Sequence, residues 1–426
     1  MRRKGFWIAA SCILAMLGLR PIFSSGAAPT STERIIHEFT GGNDGGYPVS
    51  DLTLDAEGNL YGTTAGGGIY GWGTVFELKR TTDGWKEEVL YNFAGKSSDG
   101  GDPEAGVIFD NAGNLYGVTD GQFEGNLTAN VFKLTPNSGG WTESVLYSFN
   151  VAPFGPQNDL VLDAQGNLFG TLSAGGIATG CSVYGCGTVF ELMPQSNGSW
   201  KETTIYEFPG APDGAIPSSG VVLDSQRNVW GMTEAGGRGK CEYVPKVAGC
   251  GIVYELTPNS DGSWKEAVIY DFARGGGFAV NPSSGLILDG ASHLLATTIA
   301  GGDGPGTVLE LTQSQKGWQQ DVLYRFYGDP DGDTPVGRLG INSDGALFGV
   351  TFRGGKNAGT VFELQRSQTN GWKERVLHSF VGGIDGASPQ AGLVFDSQGH
   401  LYGTTGSGGG GTVCTGGCGT VYEITP

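Results

Sequence analysis

Residues 58–64 read Gly58-Asn59-Leu60-Tyr61-Gly62-Thr63-Thr64, and residues 73–78 read Gly73-Thr74-Val75-Phe76-Glu77-Leu78. The first phrase returns as Leu115-Tyr116-Gly117, Leu168-Phe169-Gly170, Val229-Trp230-Gly231, Leu294-Leu295-Ala296, Leu347-Phe348-Gly349 and Leu401-Tyr402-Gly403. Measured between Gly62, Gly117, Gly170, Gly231, Ala296, Gly349 and Gly403, the steps are 55, 53, 61, 65, 53 and 54 residues. Self-similarity at such a period marks a repeat architecture.

Each unit divides into four short runs bounded by turn residues, here called strands a to d. Strand a ends at Asp55, Asp110, Asp163, Asp224, Asp289, Asn342 or Asp396, strand b is the Leu-Tyr-Gly phrase, and strand c is Thr-Val-Phe-Glu-Leu and its copies. Strand d opens on a tryptophan: Trp85, Trp141, Trp200, Trp264, Trp318 or Trp372. The strands are β-branched and aromatic on both faces, which predicts sheets covered on both sides. Four-stranded units stacked face to face are the blades of a β-propeller. Strands a, b and c occur seven times but the tryptophan-led d only six. The missing copy is Arg34-Ile35-Ile36-His37-Glu38-Phe39, which matches Arg375 to Phe380 and is expected to pair with Thr420 to Ile424. The fold class is therefore all-β, a seven-bladed propeller closed by its N-terminal strand, which removes the sheet edges an open array would expose. A linear solenoid would need polar caps, and neither end offers one.

Composition agrees. Glycine makes up 78 of 426 residues with no three-residue period, which excludes collagen, and 11% aromatics exclude a disordered chain. Arg2, Arg3 and Lys4, an apolar run from Phe6 to Leu19, and the small residues Ser24 to Ala28 form the three-part pattern of a secretory signal peptide over 1–27. The run is too short to span a bilayer, so residues 28–426 are read as one exported domain. The formal charge is −18, and −22 without Arg2, Arg3, Lys4 and Arg20. So acidic a body repels nucleic acid and anionic lipid.

The phrases Gly58 to Thr64 and Gly73 to Leu78, with Asp-Gly ahead of strand a, resemble the exported bacterial tandem-repeat family called GloVer, or choice-of-anchor repeat proteins. The resemblance runs from about residue 35 to 426 and implies an exported repeat protein, without bringing an activity or catalytic residues. Members can end in an anchoring segment. None is visible here, which implies a free or passively attached protein.

Cys181 with Cys186, Cys241 with Cys250 and Cys414 with Cys418 fall in the three longest b to c segments, and in an exported protein each pair reads as a cystine pinning an extended loop. Zinc is the weaker reading, since the pairs lack neighbouring histidines or further thiols. The aspartates ending strand a suit a tight hairpin. The strand c acids Glu77, Glu191, Glu255, Glu310, Glu363 and Glu423 are expected to hydrogen-bond blade to blade. The four histidines fall on repeat positions without converging, and no nucleophile elbow, phosphate loop or His-Glu-x-x-His helix is present. No cofactor is expected.

In this strand order the b to c loops and the d to a connections share one face. That face is the candidate ligand surface. It carries Asp44, Asp99, Asp213, Asp331 and Asp385, each before glycine, read chiefly as turn formers and secondarily as an acidic rim for cations or sugar hydroxyls. Asp329, Asp331 and Asp333 alternate as in a calcium loop but lack its glutamate. Units that depart from consensus add Phe154, Phe278 and Tyr243. The expectation is a monomeric, non-catalytic binding or scaffold module for a glycan or envelope protein. The alternative is a carbohydrate-active hydrolase or lyase, recognisable by one unrepeated acid pair in a pocket.

Overall fold

A computed structural model describes residues 31–426 apart from 97, 121, 124–125, 151–157, 179, 182–183, 218, 242–246, 273–278, 283, 290–292, 302–303 and 368–370. The stretch 1–27 expected to be a signal peptide, and Phe154, Tyr243 and Phe278, lie outside the described residues.

Each blade begins at its a to b hairpin. Asp55 Oδ1 accepts the backbone N–H groups of Glu57 (3.0 Å) and Asn59 (2.8 Å), while Asn59 Nδ2 donates to Asp55 Oδ2 (2.7 Å). Gly58 supplies the left-handed conformation the turn needs, at φ 84°. Strand b, Leu60–Thr64, is buried along its whole length and pairs with strand c, Thr74–Thr81, from Leu60↔Leu78 to Thr64↔Thr74. The phenylalanine of strand c lies across the glycine of strand b: a Cβ on Gly62 would sit 2.8 Å from Phe76. Blade five keeps the fit by exchange, with Ala296 opposite the smaller Leu309.

Strand d differs from the expectation of full burial. In Gly84–Asn92 half-buried Trp85, Glu87 and Val89 alternate with exposed Lys86 and Glu88, because d is the outer strand and only one of its faces meets protein. Its ladder with strand c is bulged at the same place in every blade, as between Val75 and Phe76. The N-terminal strand, Thr32–Glu38, pairs antiparallel with Thr420–Thr425 from Thr32↔Thr425 to Glu38↔Thr420, and it carries that bulge too, between Ile35 and His37. The first strand is thus the seventh d.

Seven apolar clusters fill the spaces between consecutive blades. The strand d tryptophan of one blade meets the strand b aromatic of the blade before it, as Trp200 meets Tyr116 and Trp264 meets Phe169, centroids 6.2 and 6.1 Å apart. The cluster of Phe39, Tyr402 and Val421 with Leu52, Leu60 and Phe76 joins blade seven to blade one, so the ring is closed. The all-β fold is complete: the described residues include only a three-residue 3₁₀ turn, and no helix is long and apolar enough to cross a membrane.

The b to c loop and the preceding d to a connection lie side by side, as where Gly46 bridges Gly66 and Gly68 N–H donates to the Gly42 carbonyl at 2.8 Å. Six of the connections end in a residue with positive φ before a proline: Tyr47, Asp102, Ile216, Asn281, Thr334 and Ser388, between 53° and 59°. The N–H of Tyr47 reaches the last blade's loop at the Cys418 carbonyl (2.8 Å), and its own carbonyl accepts from Ala65 of blade one (3.0 Å). These strained residues are stitches between neighbouring loops.

Candidate functional site

Strand a enters the ring from the loop-bearing face, and the residue four places before its terminal Asp or Asn faces the axis. In the seven blades that residue is Asp51, Gly106, Asp159, Gly220, Gly285, Arg338 and Gly392. Glycine is the rule here and a charge the exception. Asp51 Oδ1 accepts the N–H of Gly392 (2.5 Å), and Asp159 Oδ1 accepts that of Gly106 (2.7 Å), so each aspartate reaches back to the glycine of the preceding blade. The glycines make room: a Cβ on Gly106 would lie 2.6 Å from the Asp51 carbonyl oxygen, and one on Gly285 3.0 Å from Arg338 Cβ. The three charged residues line an axial cavity of about 280 Å³, together with Ser50, Glu104, Asn158, Ser284 and Gln390. Burial in the channel wall pushes the Asp159 carboxyl up to about 7, with the Asp51 charge adding to the rise, while Arg338 and the Gly106 N–H pull it back. The cavity is therefore lined by three carboxyls, of Asp51, Glu104 and Asp159, and a guanidinium, with Asp159 poised to take or give a proton near neutrality.

The five loop aspartates are placed otherwise. Asp99 accepts from the N–H groups of Ala94 (2.9 Å) and Lys96 (3.2 Å) and from the Tyr91 hydroxyl (3.3 Å). Asp44 accepts the Thr40 N–H (2.8 Å), Asp213 the Tyr206 hydroxyl (2.6 Å), Asp331 the Tyr324 hydroxyl (2.8 Å), and Asp385 the Val381 N–H (2.7 Å). Each ties its loop to its own blade, and the five are distributed around the ring, one to a junction. On its far side each aspartate faces a glutamate of the next blade's strand d: Glu87, Glu143, Glu266, Glu374 and Glu33. Burial first, and then the facing aspartate, push all five glutamates up to about 7. Where the Asp-Gly loop is lost before blade five, the glutamate is replaced by Gln320. At the junction of blades six and seven a histidine joins the pair, and one ligand atom each of Glu33, His378 and Asp385 lie within 4.8 Å of one another.

The strand c glutamates correct the blade-to-blade expectation. Tyr61 donates to Glu77 (2.8 Å), Arg375 Nε to Glu363 (2.8 Å), and Arg34 to Glu423 (2.8 Å), all within single blades, because strand c is flanked by its own b and d. Glu191 does cross a junction, bonding Arg227 of blade four.

The Gloeobacter/Verrucomicrobia repeat matches residues 22–244 and again 245–426. The chain belongs to this repeat family. No curated protein sequence matches it significantly. Among solved structures, a candidate 6-phosphogluconolactonase from Bacteroides uniformis aligns over 81% of this chain and 88% of its own, at 12% identity and a TM-score of 0.50. The PQQ-bound aldose sugar dehydrogenase of Streptomyces coelicolor aligns over 94% and 99%, at 12% identity and a TM-score of 0.43. At such identity the lactonase-like chain shares the fold alone.

In this member of the Gloeobacter/Verrucomicrobia repeat family all three cysteine pairs are disulfides, Cys181–Cys186, Cys241–Cys250 and Cys414–Cys418. They are the mark of an oxidising environment, extracellular or periplasmic. Two of them rest on a glycine of the adjoining connection: a Cβ on Gly41 would lie 2.6 Å from Cys418 Sγ, and one on Gly210 3.1 Å from Cys181 Sγ. The b to c loops of blades three and seven are thereby held against the adjoining connections.

The axial set lies in strand a, away from the loops whose departures from consensus mark Phe154, Phe278 and Tyr243. Its signal was present in strand a, where two aspartates and an arginine interrupt a column of glycines.

Proposed function

We propose that this repeat protein is an exported binding module that takes one small polar ligand, a sugar or the end of a glycan, at the axial cavity. The observation that carries the reading is the single charged set, Asp51, Asp159 and Arg338, at a position where the other four blades have glycine. A multivalent lectin would repeat its pocket from blade to blade, and a passive scaffold needs no such set. Carboxylates, a guanidinium and the amides of Asn158 and Gln390 are the donors and acceptors that sugar hydroxyls pair with. The cavity suits a single unit better than a polymer threaded through it.

A hydrolase or lyase is the second reading, and it has its own observation: the acids Asp51, Glu104 and Asp159 share a pocket, and Asp159 holds its proton near neutral pH as a general acid does. Incubating the mature protein with cell-wall and plant oligosaccharides, followed by mass spectrometry, separates the two. Sugar retained intact supports the binding module, provided that Asp159→Asn or Arg338→Gln abolishes retention. Shortened products that vanish in Asp159→Asn move the assignment to the enzyme. Neither retention nor cleavage overturns both. Export is checked by the intact mass of the secreted chain, where a product beginning at Met1 would refute removal of residues 1–27.

A further inference from the structure

Five blade junctions share one arrangement: an aspartate from the d to a connection, an aromatic ring from strand d of the same blade, and a glutamate from strand d of the next. At three of them the ring is a tyrosine, Tyr91, Tyr206 or Tyr324, whose hydroxyl donates to the aspartate. On both flanks of blade seven it is a histidine instead, His378 at the junction with blade six and His37 at the junction with blade one. A phenol brings a proton to a carboxylate, whereas a neutral imidazole brings a lone pair. The exchange turns a hydrogen-bonded turn into a set of one nitrogen and two carboxylates.

We infer that Glu33, His378 and Asp385 form a binding site for a divalent transition-metal ion of the zinc class, which pins the ring-closing strand to blade six. Their ligand atoms lie within 4.8 Å of one another. Ligands about 2.0–2.2 Å from one zinc ion sit at most about 4.4 Å apart, so small side-chain movements would gather all three. His378 Nε2 is already 3.0 Å from Asp385 Oδ1. Glu33 Oε1 is shut off from solvent and has no hydrogen-bond partner, an expensive state beside a second carboxylate that a cation would relieve. One imidazole with two carboxylates suits zinc or its neighbours better than calcium, which prefers six to eight oxygens. His37, Asp44 and Glu87 repeat the residue types at the next junction in a looser form, with His37 Nε2 3.9 Å from Asp44 and otherwise without a partner.

The test uses the mature protein, stripped with EDTA and titrated with ZnCl₂ by calorimetry and thermal melting. Two variants borrow the chain's own solutions: His378→Tyr restores the residue of the other junctions, and Glu33→Gln copies Gln320. The expectation is zinc binding that raises the melting temperature of the wild type and weakens at least tenfold in each variant, while the metal-free variants melt within a few degrees of the parent. Absence of zinc binding, or binding that neither variant weakens, overturns the site. Equal binding of Ca²⁺ with the same dependence on His378 and Glu33 overturns the transition-metal assignment.

Discussion

Arg227 stands where five of the other a to b turns have glycine, at Gly58, Gly113, Gly166, Gly345 and Gly399, and it adopts their left-handed conformation at φ 68°. The strain is offset by reach. Its Nε donates to Asp163 Oδ2 (2.8 Å), its other arm pairs with Glu191, and the guanidinium lies 5.1 Å from the Phe169 ring centre and 5.6 Å from that of Trp264. Arg227→Gly relieves the backbone yet leaves Glu191 buried without its cation, so we expect a net loss of about 2 kcal/mol by urea denaturation. Glu143, Glu266 and Glu374 make a second case. Their pKa values rise from the usual 4.5 to about 7 on folding, so the folded protein binds protons more tightly than the unfolded chain. Their stabilising contribution is complete below pH 4.5 and is lost as pH rises through 7. The melting temperature is therefore expected to climb as pH falls from 8 towards 5. In a Glu143→Gln, Glu266→Gln, Glu374→Gln variant the climb flattens, while the effect of the general negative charge remains in both proteins. Equal slopes would refute the coupling to Asp99, Asp213 and Asp331.

Among the elements, the b to c loops show best how local chemistry holds the loop-bearing face. Removing the disulfide by Cys181→Ser and Cys186→Ser frees a short loop, which a chain-entropy estimate puts at about 2 kcal/mol. The change should appear as a lower denaturation midpoint with an unaltered slope, because the blades themselves stay folded. The elements were largely legible in the sequence. Periodic phrases such as Leu60 to Thr64 fix strands b and c because their packing recurs in every blade, and paired cysteines in the longest loops announce the cystines. What could not be read was register across junctions. That Asp99 would turn inwards to Tyr91, or that Glu143 would face it from the next blade, depends on how far one sheet is rotated against another. The axial column of Asp51, Asp159 and Arg338 was hidden for the same reason: only closure of the ring brings blades one, three and six around one cavity.

For the whole molecule, closure is the decisive interaction. Thr32–Glu38 supplies the outer strand of blade seven, and Phe39 belongs to the cluster between blades seven and one. Deleting Glu33 to Phe39 opens an edge on strand c and uncovers that cluster. The result should be a melting temperature lower by roughly 10 °C or more for the entire ring rather than for one blade. An unchanged melting temperature would refute the seam. The pairing also sets an order in time. Thr32–Glu38 waits for Thr420–Thr425, with six blades' worth of chain made in between, so the ring closes only once that later strand has been made. Until then the nascent chain carries an unpaired β edge at Thr420–Thr425 as soon as that strand emerges. A newly made ring is thus most exposed to chain-to-chain pairing in the brief interval between the emergence of Thr420–Thr425 and the docking of Thr32–Glu38.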